Sequence, residues 1–237
     1  PAKTKYVNAL FYAKDYDGVV KNVEEIFQVD KSRTYMNRIA GYSCYEKNPP
    51  DYEKALYYMD ELFKTVAPER IIVKDYYYLA RILVKKNANG PKIADEAIAA
   101  KAELEKEKAR MAATANAAEK AKIKAKVDEL TPRAAKLEAE AKKAGAEVDR
   151  AFAAYGKLLE MRPDDRALIG EIAAAYNSFR RYYDVAKTLS RLLGPLPEKR
   201  EDYMQVARAY HNGERYQAAD SIYLVIIKNS PDYVPAY

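Results

Sequence analysis

REDYMQVARAYHNGERYQAADSIYLVIIKNSP, residues 200–231, decides how the rest of the chain is read. Tyr203, Val206, Ala207 and Tyr210 fall at i, i+3, i+4 and i+7, one stripe of an amphipathic helix. His211-Asn212-Gly213 breaks the pattern, and Gly213 is suited to the left-handed conformation that closes a helix. Tyr216, Ala219, Tyr223 and Ile226 stripe a second helix. Ser230-Pro231 stops it, because proline donates no backbone hydrogen bond and disfavours helix at the residue before it. Ala207 and Ala219 are small where two antiparallel helices must approach closely.

The stretch resembles the tetratricopeptide repeat (TPR), a helix-turn-helix of about 34 residues. Aromatic Tyr203, small Ala207, Tyr210, small Ala219, aromatic Tyr223 and Pro231 carry the match. Tyr stands for Trp, Ala for Gly, and bulky Ile226 for a small residue. The resemblance implies an all-α fold: a right-handed superhelical solenoid of antiparallel helix pairs.

Laid along the chain, this repeat finds other copies. Residues 1–31 form a degenerate first one, with Tyr6, Val7, Leu10 and Phe11, a turn at Lys14–Gly18, then Val19, Val23, Ile26 and Phe27; Val19 replaces the expected Ala and Lys31 the expected Pro. Residues 33–68 are a better copy: Tyr35, Ile39, Ala40 and Gly41, a turn at Asn48-Pro49-Pro50-Asp51, Tyr52-x-x-Ala55, then Met59, Leu62 and Phe63. Tyr76, Leu79, Ala80 and Leu83 begin a third repeat whose second helix comes only at Ala151, Tyr155 and Leu158. Residues 166–197 are the fourth, residues 200–231 the fifth, and Val234–Tyr237 reads as the start of a sixth. The expected organisation is therefore repeats over 1–86, a helical insertion over 87–148, repeats again over 149–231 and a truncated repeat over 232–237. The chain begins at Pro1 without Met and reads as a piece of something longer.

The insertion, about 59 residues judged against the repeat length, has its own pattern. It is free of aromatics from about 92 to 150 and dominated by the helix formers Ala, Lys and Glu. Thr131-Pro132 reads as a helix start, cap then first-turn proline. From there Ala134, Leu137, Ala141, Ala144, Val148, Ala151, Tyr155 and Leu158 keep alternating steps of three and four. One helix is predicted from Pro132 to Met161, on the order of 45 Å long. The returning arm repeats every seven residues at Ala97, Leu104, Met111, Ala118 and Ala125. Its reversal lies either at Ala113–Asn116 or at Leu130-Thr131. A partly disordered charged segment is the alternative, but disorder would not keep register into Leu158. The expectation is a long coiled-coil-like hairpin projecting from the solenoid.

Composition narrows function mostly by exclusion. The 237 residues carry 41 basic and 35 acidic side chains, a net +6 dispersed along the chain. Within 87–150, 14 basic residues face 12 acidic ones, unlike the clustered charge of a nucleic-acid footprint, and no nucleic-acid partner is expected. No run is long enough to insert in a membrane. The lone Cys44 sits beside Tyr42 and Tyr45 without a basic neighbour and reads as a packed thiol. The lone histidine, His211, falls in a turn. One His and one Cys do not make a zinc site, and no phosphate loop, HExxH or GxSxG is present. No enzyme activity, metal or cofactor is expected.

The TPR resemblance implies instead a concave face lined by the first helices, where an extended peptide or partner helix docks. Carrying the groove positions over by register gives Tyr35, Arg38, Tyr42 and Tyr45, then Lys74, Tyr77, Arg81 and Lys85, then Arg208, His211 and Asn212. Tyr and Arg are enriched at binding hot spots, so the expected partner is a protein presenting an acidic or aromatic segment. The competing reading packs several of these tyrosines between repeats. The Lys and Asn set that clamps a C-terminal carboxylate in some members is not matched. The alternative function is structural, with self-association through the 92–148 hairpin or through an exposed C-terminal repeat end. Tyr-rich repeat proteins of this kind occur in bacterial cell envelopes as well as the cytoplasm, and the resemblance favours the envelope.

Overall fold

A computed structural model describes residues 2–237. Among them are eleven α-helices, three short 3-10 turns and no strand. They divide into two compact units, one made of residues up to Lys86 together with Ala151–Tyr237, the other of Asn87–Arg150.

The first unit is all-α and built as a TPR-like solenoid. Helices α1 (Ala2–Tyr12) and α2 (Tyr16–Val29) pair, as do α3 (Met36–Glu46) and α4 (Tyr52–Thr65). Helix α5 (Val73–Lys86) follows α4; after the second unit come the end of α7 (Ala117–Met161), then α8 (Arg166–Ser178) with α9 (Tyr182–Leu189), and α10 (Arg200–Asn212) with α11 (Tyr216–Asn229). Carboxylates start several helices: Asp15, Asp51 and Asp165 each accept from a backbone N–H three residues on, satisfying a donor that has no partner inside the helix. Small residues sit where helices cross. Ala40, Ala55, Ala80, Ala186, Ala207 and Ala219 are fully buried. A Cβ on Gly41 would lie 2.9 Å from the Met59 sulfur, so this glycine serves close approach.

The turn inside 200–231 differs from its reading. Gly213 has φ −88°, and the left-handed residue is Glu214, at φ 58°. Lys14 and Arg180 hold the same place in the α1–α2 and α8–α9 turns, at φ 61° and 58°. Gly213 is small for another reason: an added Cβ would meet Tyr182 Cβ at 3.2 Å and the Ala209 carbonyl at 3.4 Å. Gly213→Ala is therefore expected to cost about 1–2 kcal/mol through crowding. Glu214→Gly should cost nothing, because relief of the left-handed backbone offsets glycine's entropy. Thermal denaturation of both variants checks this; the opposite order would restore Gly213 as the left-handed residue. Tyr216, placed on the buried stripe, is instead half exposed, its ring edge-on to His211. Val234–Ala236 forms a 3-10 turn, with Ala236 against Met204 and Ile226.

The second unit is an antiparallel pair, α6 (Gly90–Ala113) against the first part of α7. The reversal lies between Ala113 and Ala117, the first of the two sites considered. Helix α7 has 45 residues, about 67 Å, and runs through Pro132 rather than starting there. Its buried seam accordingly begins earlier, at Ile123, Val127 and Leu130, and continues in steps of three and four through Ala134. Ala118 and Ala125, assigned to the returning arm, belong to α7 and are exposed. From α6, Ala97, Ala100 and Leu104 are buried on the facing side. Glu107 occupies the next seam position and is held by Lys126, which also reaches Glu103. Asn87 donates to Glu147 at 2.9 Å.

Candidate functional site

Three cavities of the first unit share lining residues and so form one track. The first, about 250 Å³, lies among Thr4, Asn8, Phe11 and Tyr12 of α1, Tyr35 to Tyr42 around α3, and Lys74. The second, about 530 Å³, runs from Val73, Lys74, Tyr77 and Arg81 to Leu158, Arg162 and the start of α8. The third, about 480 Å³, takes Tyr45, Arg81, Val84, Lys85, Tyr155, Glu171 and Ser178. Lys74 joins the first two, and Arg81 with Glu171 joins the second and third. The walls are chiefly the first helices α1, α3, α5 and α8.

Two carboxylates organise the floor. Asp75 is completely buried (0 % exposed) and accepts four hydrogen bonds: from Arg38 Nε and Nη2 at 2.7 and 2.8 Å, Tyr42 Oη at 2.7 Å and the Ile72 N–H at 2.8 Å. The last is half of a capping box, an N3 carboxylate returning to the N-cap backbone. Arg38 also donates to the Arg70 carbonyl. Glu171 accepts from Arg81 Nε and Nη2 at 2.8 and 2.6 Å, Tyr155 Oη at 3.0 Å and Tyr77 Oη at 3.1 Å. Arg81 also lies 4.0 Å from the Tyr77 ring centroid. Burial, then the neighbouring carboxylates, push the phenols of Tyr42 and Tyr155 up, so both remain donors.

Burial alone would raise the Glu171 carboxyl, but the Arg81 hydrogen bonds and charge, with Tyr155 and Tyr77, prevail and hold it below 4.5. A depressed folded value contributes stability above about pH 4.5 that is lost as pH falls through the folded value. The native chain should therefore lose stability below pH 4.5 more steeply than Glu171→Gln. Melting temperatures between pH 6 and pH 3 check it, and parallel profiles would remove Glu171 as the acid-sensitive group.

The sequence-derived positions separate into three groups. Arg38, Tyr42, Tyr77 and Arg81 line the track but are bound into its two carboxylate networks, and Tyr42 is 96 % covered (4 % exposed), its ring stacked 3.9 Å from Tyr78. Tyr35, Tyr45, Lys74 and Lys85 line it without a carboxylate partner. Lys74 Nζ instead lies 5.3 to 5.7 Å from the ring centroids of Phe11, Tyr42 and Tyr78. Arg208, His211 and Asn212 are exposed on α10 and line none of the three cavities. Sequence reasoning missed Asp75, Glu171, Phe11, Tyr12 and Arg162. For Glu171 the groove register gave no signal, since carried one repeat further it falls on Ala167, Gly170, Ala174 and Ser178. Cys44 is buried, and burial pushes its thiol up to about 11. No helix among the described residues is long and apolar enough to cross a membrane.

No protein-family model and no curated relative matches the chain. Among solved structures, the C-terminal part of a TPR repeat-containing protein from Cytophaga hutchinsonii is similar over 98 % of this chain and 67 % of that one. The TM-score is 0.50 at 12 % identity, a likeness of fold.

Proposed function

We propose that this chain is a non-enzymatic interaction scaffold whose track along α1, α3, α5 and α8 takes an extended acidic segment of a partner protein. The continuity of three cavities through Lys74 and through Arg81 with Glu171 supports this reading. Its electrostatics support it further. Five cations line the track, Arg38, Lys74, Arg81, Lys85 and Arg162, against two carboxylates, Asp165 and Glu171. Asp75 neutralises Arg38 from beneath, Glu171 neutralises Arg81, and Asp165 lies 3.7 Å from Arg162. Lys74 and Lys85 are left over, and a partner's carboxylates complement them.

The arginines suggested by the sequence are poor probes, because each is bonded to a carboxylate of the fold. Exposed Lys74 and Lys85 are good ones. The Lys74→Met/Lys85→Met double variant is expected to bind a poly-glutamate peptide roughly tenfold more weakly than the native chain. The native affinity should fall with added salt. Titration calorimetry with the folded variant decides: unchanged affinity would sink the acidic-groove reading.

A further inference from the structure

We infer that the cavity between α1, α3 and the start of α5 is an anchor pocket for one aromatic side chain standing beside a carboxylate in the bound segment. This rests on the acidic-groove reading and narrows it. At about 250 Å³ the cavity is smaller than the roughly 300–1,000 Å³ of small-molecule pockets and takes a single side chain. Rings and aliphatic groups make most of its wall, Phe11, Tyr12, Tyr35, Met36, Ile39 and Tyr42, beside the polar Thr4, Asn8, Arg38 and Lys74. Tyr12 is 84 % exposed and Tyr35 41 %, two phenol rings left in water at the rim. A ring seated in the cavity they line covers apolar area and gains aromatic neighbours.

Lys74 sets the second half of the specificity. Its ammonium already lies close to the rings of Phe11, Tyr42 and Tyr78, so the cluster is no cage for a cationic ligand; a second cation would be repelled. It makes no ion pair with any described residue and lines the same cavity. A carboxylate next to the anchored ring lands on it, and continues towards the second cavity that Lys74 also lines.

The test uses the whole chain and three short acidic peptides differing only at a central pair: Phe-Asp, Ala-Asp and Phe-Asn. Fluorescence anisotropy should rank Phe-Asp above Ala-Asp by about tenfold or more and above Phe-Asn by roughly fivefold. Asn8→Phe, which fills the mouth from an exposed wall position, should bring the Phe/Ala ratio to about one; Lys74→Met should do the same to the Asp/Asn ratio. Equal binding of Phe-Asp and Ala-Asp by the native chain would overturn the anchor and leave the acidic groove standing. Binding of none of the three would overturn both. A Phe/Ala ratio that survives Asn8→Phe would also overturn the anchor.

Discussion

Asp75→Ala is expected to destabilise the first unit by about 3–5 kcal/mol. The carboxylate is wholly buried and accepts four hydrogen bonds from three residues in two stretches of chain. Removing it strands the Arg38 guanidinium, whose side chain is only 26 % exposed, and leaves the Tyr42 hydroxyl and the Ile72 N–H without an acceptor. An orphaned buried charge and donors cost more than the intact pair contributes. Asp75→Asn should fall between, since an amide keeps the shape but only one acceptor oxygen. Urea denaturation measures both. Arg38→Ala added to Asp75→Ala should cost less than the sum of the singles, because the stranded charge leaves with it. A loss below about 1 kcal/mol for Asp75→Ala would mean water replaces the carboxylate and the network is not structural.

Pro132→Ala should act in the other direction, stabilising the α6–α7 pair by about 1–3 kcal/mol. Helix α7 passes through Pro132, where the missing N–H deprives the Asp128 carbonyl of its helical donor. Thr131 Oγ1 donates to the Val127 carbonyl at 2.7 Å, a local side-chain bond that accommodates the interruption. Alanine restores the backbone bond and removes the ring clash while leaving the seam at Val127, Leu130 and Ala134 untouched. Amide hydrogen exchange across residues 117–150 reads the gain as slower exchange. Faster exchange would show that the proline sets a bend the seam requires.

These two cases mark the limits of reading the chain. The seam from Ala134 to Leu158 was legible because side-chain period follows from backbone geometry alone. Its beginning at Ile123 was not, because Thr-Pro is the ordinary signature of a helix start and only packing against Ala100 and Leu104 overrides it. The small residues Ala207 and Ala219 were legible as close-contact positions. Gly213 was recognised as special for the wrong cause, since its constraint is Tyr182 on another helix. The groove tyrosines divided by partners that no local pattern announces.

Local residue patterns set the helices and most of their buried faces, the pairing of neighbours across short turns, and the heptad seam of the insertion from Ala134 onward. Each follows from residues within a few positions of one another. The tertiary structure alone decided which charges are spent. Arg38 meets Asp75 across 37 residues and Arg81 meets Glu171 across 90. Such pairs arise from how helices stack, and a chain position carries no record of its distant neighbour. Only after those pairs form are Lys74 and Lys85 left as the uncompensated charges of the track.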